Sequence, residues 1–423
     1  MTGSVWDVVI VGAGAAGLTA AIRAAETGAR VLVLEKTRRP GVKILMSGGT
    51  RCNLTHATDN RGIVAAYGPP GRFLHSALAA LSVADTVALF EAEGVATKVE
   101  ETGKVFPVSD RAADVLAALL ARLDRSGAVL RTETPVSALE RTDDGFRLHT
   151  PTGPIAARTV VLTTGGQSYP GSGTTGDGYA FARRFGHTIV PPRPALVPIT
   201  VAIPWVPELR GVTLPDIAVQ VREGERTLTA RRGAVLFAHF GLTGPAILDV
   251  SRAVSGHPTP AALTLEMDFL PAVKQVDLDE RLRVDSAAEG KKLLAGVLAT
   301  WLPRRLAETL LPVVGLPADR RAAALSRADR SRLVEAVKRL RLPVSGTLGF
   351  GKAEVTAGGV ALDEVDSRTM ESKRVPGLYF AGELLDLDGP IGGYNFQAAW
   401  STGWLAGGKA AAAATGGGER NFS

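Results

Sequence analysis

Apolar positions along this chain recur in two periods, and their alternation sets the expected architecture. Residues 8–11 and 31–34 are short unbroken apolar runs, which suit strands buried on both faces of a parallel sheet. Residues 18–26 between them carry helical spacing, and Gly28 ends that helix. Residues 73–93 read as one helix marked by Leu74, Leu78, Leu81, Val87 and Phe90. Ser109 reads as the N-cap of another, with Val115, Leu116, Leu119, Leu120 and Leu123 on one face and Gly127 as its stop. Residues 129–132, 136–140 and 145–150 are short strand-like pieces, 159–164 is a further buried strand, and 177–185 is a helix.

The pattern changes near Pro191. Residues 191–207 are proline-rich and cannot be helical. Residues 217–220, 227–230, 235–237 and 263–267 then read as antiparallel strands of an inserted β unit. Residues 280–340 are helical and rich in Arg, with Leu293, Leu294, Val297, Leu298 and Trp301 on one apolar face. Strand character returns at 353–356 and 377–383, followed by a helix from 394 to 405. The tail after Ala406, with its alanine run and Gly416 to Gly418, reads as loosely ordered.

Length and charge narrow the picture. A chain of 423 residues exceeds one compact core, so two or three domains are expected. The net charge is +6, carried mostly by Arg in no sustained block, and aromatics are 5%. Nucleic acid is therefore not the expected partner, because stacking surface is sparse and the basic residues read as a solvated face. Cys52 is the lone cysteine, so an internal disulfide is excluded and a reducing cytoplasm fits. No metal motif, signal-peptide pattern or bilayer-length apolar run is present in the sequence, so neither a metal nor a membrane is expected.

The chemistry concentrates at both ends. Gly12, Gly14 and Gly17 follow the first strand in G-x-G-x-x-G spacing and open the first helix. Gly12 permits the tight turn, Gly14 lets the backbone approach a pyrophosphate, and Gly17 lets helix and sheet pack closely. Glu35 ends the second strand, where a carboxylate accepts from a ribose 2′-OH. The following stretch, 36–56, reads as a long loop over the cofactor. Lys36, Lys43 and Arg51 could neutralise phosphates there, and Ser47, Gly48, Gly49 and Asn53 could supply short hydrogen-bonding groups. By fold analogy, Val136 brings a main-chain group to the adenine. Thr164, Gly165 and Gly166 form a small-residue turn at a strand's carboxyl end, where open α/β sheets place ligands. Near the C-terminus, Gly382 and Glu383 end a strand, Asp386 follows, and Gly392, Gly393, Tyr394 and Asn395 open a helix. That helix N-terminus could face a ring that gains negative charge on reduction, such as flavin. No second G-x-G-x-x-G follows a strand, so a nicotinamide would bind transiently beside the first cofactor.

These segments together resemble a family. DVVIVGAGAAG…LEK, SGGTRCN, TTGGQSYPGSGTTGDGY, HFGLTGPA, TMESK and GELLDLDGPIGGYNFQAAW are similar to the bacterial FAD flavoproteins typed by aminoacetone oxidase and the dehydro-bile-acid reductase BaiN. The resemblance runs nearly end to end. It implies an α/β fold: a Rossmann-like FAD-binding domain, discontinuous over 1–192 and 346–423, with a β-barrel-like insert at 193–275 and a small helical insert at 276–345. It implies that Gly12, Gly14, Ala15, Ala16 and Gly17 face the pyrophosphate and Glu35 the adenosine ribose. Asn53 would lie near the cofactor, and Gly382, Glu383 and Gly393 to Asn395 near ribitol and flavin. Thr50 departs from the family's SGGGRCN, which has glycine there.

The expected function is an FAD-dependent oxidoreductase exchanging a hydride with a small organic substrate. NAD(P)H-linked reduction of an activated double bond leads. Oxidation of a small amine is one alternative, and a flavin-containing RNA-binding or tRNA-modifying protein is another. No catalytic residue is fixed by the pattern; Cys52 and Tyr169 are candidates only because their loops are expected near the flavin.

Overall fold

The apolar run at the start of the chain is buried because β1 (Trp6–Val11) is an inner strand of a parallel sheet. On one side β1 pairs with β2 (Val31–Leu34), Val8 opposite Val31 and Ile10 opposite Val33. On the other it pairs with β3 (Gly153–Leu162), Val9 opposite Val160. Strand β4 (Leu378–Phe380) joins the carboxyl half of β3 in parallel, and Gly145–Thr150 joins the amino half antiparallel. Strands from distant parts of the chain therefore end side by side at the carboxyl edge of one sheet.

The computed structural model describes residues 5–416, which divide into two compact units. The first runs to Arg193 and resumes at Val355; the second is Pro194–Glu354. In the first, helix α1 (Ala15–Glu26) connects β1 to β2, with Leu18, Ala21 and Ile22 fully buried. The alanine run expected to be loose is instead the end of α3 (Tyr394–Thr415). Ala406, Ala410, Ala411 and Ala414 are buried at helical spacing in that unit's core, which supplies the order that alanine propensity alone leaves marginal. Gly417 and Gly418 lie outside the described residues.

Three other expectations need correction. The stretch after Glu35 is not all loop: α2 (Val42–Thr50) forms there, burying Ile44, with a break at Ser47–Gly49. The single helix over 73–93 is divided into His75–Ala80 and Val83–Ala92, because Ser82 and Asp85 form a capping box that starts a new helix. Ser109 does not cap its helix, which begins at Ala112 after Asp110 takes a positive φ.

The second unit is a seven-stranded antiparallel sheet in the order 340–343, 263–268, 213–223, 226–238, 241–243, 199–200, 346–347. Its two outermost strands are consecutive in sequence, separated only by Val344 and Ser345. The sheet must therefore curl until its edges stand within roughly 10 Å, the reach of three extended residues. Val344 N–H bonds to Leu263 O at 3.0 Å and Ser345 N–H to Thr200 O at 2.8 Å, stitching the two edges. Strands of 193–275 and helices of 276–345 share one core here: Val219, Phe237 and Leu265 lie with Leu298, Leu306, Leu310 and Val334. Among the described residues no single helix is long and apolar enough to cross a membrane.

Candidate cofactor site

The β1–α1 turn is built around absent side chains. Gly12 has φ +103°, and a Cβ on Gly17 would stand 1.9 Å from Gly12 O and 2.7 Å from Thr163 Oγ1. Thr163 Oγ1 donates between Val11 O and Gly12 O, at 3.0 and 2.9 Å, fixing the turn to the end of β3. Gly14 is the N-cap of α1, no side chain caps it, and the space where its Cβ would stand is open. A helix start with uncapped N–H groups facing open space can receive a diphosphate. Ala15 is half-buried and Ala16 buried on the first turn.

Glu35 Oε2 accepts Ala13 N–H at 2.9 Å, and Oε1 accepts Thr37 N–H and Oγ1–H, both at 2.8 Å. The carboxylate is thus fixed at the turn, with acceptor capacity left on each oxygen. Thr134 N–H donates to Glu35 O at 2.9 Å, so the segment leading to Val136 runs beside this end. Val136 precedes the strand Ala138–Thr142 rather than beginning it.

The second pole is the N-terminus of α3. Gly393 is its N-cap with φ +94°, and a Cβ there would stand 2.4 Å from Thr55 O. Asn53, its amide oxygen turned toward Gly393, accepts that N–H at 3.0 Å and donates to Thr55 O and Val105 O at 3.0 and 3.3 Å. Asn395 closes the preceding turn, accepting Gly389 N–H at 2.8 Å and donating to Gly389 O at 3.0 Å. Tyr394 stacks on His56 at 4.6 Å between ring centroids, and a ring N–H of His56 donates to Gly392 O at 3.1 Å. Tyr67 donates to Tyr394 O at 3.1 Å.

The poles are joined by close helix packing. A Cβ on Gly403 would stand 2.2 Å from Ala16 O, one on Gly407 2.1 Å from Ala20 O, and one on Gly382 2.8 Å from Ala16 Cβ. Both contacts advance by four residues, so α1 and α3 run parallel. Since α3 starts nine residues before Gly403 and α1 one before Ala16, α3 projects eight residues further, roughly 12 Å at 1.5 Å per residue. Two helix N-termini therefore stand on one side of the sheet end, offset along a common direction.

A polar hub ties these segments together. Glu383 pairs with Lys43 through Oε2, while its Oε1 accepts Ser168 Oγ–H at 2.6 Å and Thr356 N–H at 2.9 Å. Lys43 also donates to Ser168 Oγ at 2.6 Å. Gly166 leaves room for this hub, since its Cβ would stand 2.4 Å from Thr356 Oγ1. Gly165 has φ +72°. Nearby polar atoms remain unmatched: Thr164 Oγ1 and Tyr179 Oη are buried with no hydrogen-bond partner. Burial, then the charges of Glu383 and Asp386, push the Tyr179 phenol well up.

Other predicted residues are engaged elsewhere. Lys36 pairs with Asp177 at 2.5 Å and Thr175 Oγ1 at 2.6 Å. Arg51 pairs with Glu100 at 2.7 Å and lies 4.0 Å over the Phe106 ring. Ser47 donates to Ile44 O at 2.8 Å. Gly48, Gly49 and Thr50 all take positive φ, so Thr50 adopts the backbone that glycine would find easier. Cys52 is fully buried, and burial pushes its thiol up to about 12, leaving no thiolate near neutral pH. Tyr169 has φ +51° and is partly exposed on its turn. Ser168, Thr356, His56 and Tyr67 were not found from sequence, because their partners are remote along the chain.

The chain is similar to known proteins over nearly its whole length. The model of the HI0933-like protein Rossmann domain fits residues 6–409. The chain is 36% identical over 402 residues to the "Ribosomal RNA dihydrouridine synthase" of Escherichia coli (strain K12), covering 94% of this chain and 96% of that one. It is 34% identical over 409 residues to the "3-dehydro-bile acid delta(4,6)-reductase" of Clostridium scindens, covering 95% and 98%. A 3-ketosteroid delta1-dehydrogenase from Sterolibacterium denitrificans shares the fold at TM-score 0.51 and 16% identity, over 97% of this chain and 100% of that one. With a family model spanning nearly its whole length, the chain belongs to the HI0933-like family of FAD-binding Rossmann oxidoreductases.

Proposed function

We propose that this enzyme saturates a ring C=C bond conjugated to a carbonyl, with NAD(P)H as the transient electron donor. The observation that carries the reading is shared by its relatives: a delta(4,6)-reductase and a dihydrouridine synthase are both named for adding hydrogen across a ring double bond. Bound FAD would supply the hydride from its ring. Gly12, Gly14, Ala15, Ala16 and Gly17 hold the pyrophosphate at the α1 terminus, Glu35 the ribose, and the Val136 segment the adenine. Gly382, Gly392, Gly393, Tyr394 and Asn395 hold ribitol and ring at the α3 terminus, whose partial positive charge favours charge arriving on the ring. Lys43 and Glu383 fasten α2 to the C-terminal turn, and their mutual pairing leaves little net charge for the phosphates.

A second reading places the reduced ring inside RNA as a uracil. Two relatives carry ribosomal RNA in their names, at 36% and 34% identity, and the chain's net charge is +6. Anaerobic mixing of the FAD-loaded protein tests the chemistry. NADPH should bleach the flavin, and a cyclic enone or protein-free ribosomal RNA should restore its colour. Bleaching by small amines but not by NADPH would replace the proposal with amine oxidation.

A further inference from the structure

The net charge is unevenly distributed. The second unit, Pro194–Glu354, holds 22 basic and 17 acidic residues, so five of the six net charges belong to it. Residues 291–341 alone hold 12 basic and 4 acidic residues. Seven of these twelve cations are paired with carboxylates: Lys292 with Glu289, Arg304 with Glu308, Arg330 with Asp279, Arg332 with Asp329, Lys338 with Asp268, Arg339 with Glu335 and Arg341 with Glu266. Arg305 donates to the backbone oxygens of Glu208 and Arg210, and four of the twelve meet at one place.

Two turns, around Leu293 and Arg321, meet there through a single bridge outside the main sheet. Leu293 bridges Arg321, Leu294 N–H donates to Arg320 O at 2.8 Å, and Ala322 N–H to Lys292 O at 3.0 Å. This brings Lys291, Lys292, Arg320 and Arg321 together at the bridge. Lys291, Lys292 and Arg321 are exposed, and so is Leu293 beside them, at 41%. Arg321 donates to Lys291 O at 2.5 Å, which holds its guanidinium across the bridge. Arg320 is half-buried, with its Nε enclosed and its Nη1 donating to Ala324 O at 3.5 Å. Arg327, also exposed, opens the helix that follows. The local acids are Glu289, 3.0 Å from Lys292, and the exposed Asp319, so cations predominate.

We propose that this bridged patch is a docking surface for the phosphate backbone of folded RNA. The inference rests on the RNA reading above and adds where the RNA is held. Forked guanidinium groups held by backbone bonds suit phosphate oxygens, and Lys291, Arg320 and Arg321, with no carboxylate at salt-bridge distance among the described residues, keep their charge for a polyanion. One exposed leucine gives an anionic membrane little to bury, which favours RNA over lipid.

Binding of protein-free ribosomal RNA to the FAD-loaded full chain, measured across a salt series, tests the surface. The double variant K291E/K292E should weaken binding at least ~10-fold and flatten the log–log salt slope by about 2, one phosphate contact per lysine. The flavin absorbance and unfolding midpoint of that variant report whether it is folded. R226E/R231E, two exposed cations on a hairpin of the same unit, should leave the slope unchanged. Wild-type binding that K291E/K292E does not alter overturns the surface and spares the RNA reading. Absence of wild-type RNA binding, or binding to phosphatidylserine vesicles alone, overturns both.

Discussion

At the scale of single residues, burial decides what Cys52 and the phenols can do. Cys52, Tyr67 and Tyr179 are each 4% exposed or less. Burial pushes the Cys52 thiol to about 12 and raises both phenols, with Glu383 adding to the effect on each tyrosine. An acid whose folded pKa is raised stays protonated in the fold while the unfolded chain releases its proton. Stability from Cys52 is therefore full below pH ~9 and falls as pH rises from there to about 12, by up to roughly 1.4 kcal/mol per pH unit. Urea midpoints measured from pH 7 to 10.5 should drop above pH 9 in the wild type and drop less in C52A. A native thiol that reacts readily with a chromogenic disulfide at pH 8 would show that Cys52 is accessible and the shift absent. The G-x-G-x-x-G residues and Glu35 were legible because their meaning lies in short spacing. Glu383 with Lys43 was not legible as a pair, because 340 residues separate the partners.

Elements follow the same division. Helix α1 was readable from periodicity and glycine stops. The break at Ser82 was also present in sequence, as Ser and Asp three residues apart, yet the continuous apolar marks around it outweighed that signal. The order of the alanine run was not present in sequence, since it comes from α1 lying against α3 at glycine contacts. Substitution at the first turn separates packing from binding. G17A drives a methyl into Gly12 O, 1.9 Å away, and should cost ~2–3 kcal/mol or more, with loss of FAD. G14A meets open space; it should keep its unfolding midpoint without FAD and yet bind FAD more weakly. Equal destabilisation of both apo variants in thermal melts would contradict this assignment of the two glycines.

For the whole molecule, two separate hydrophobic cores imply two cooperative units. Every residue assigned to FAD lies in the first. Calorimetry should resolve two transitions, and adding FAD should raise only one, by about 2.7 kcal/mol at a hundredfold excess over Kd. A single transition that moves as a whole would mean that the units unfold together.

The sequence by itself determined the βαβ start with its glycine turn and terminal Glu35, because these are written in contiguous residues whose spacing has one cheap physical solution. Only the tertiary structure decided that the alanine tail is a helix, that barrel-like strands and helices share a core, and that Lys43, Ser168, Thr356 and Glu383 meet. Those outcomes depend on which surfaces exclude water from one another, and that is a property of the folded chain rather than of any window along it.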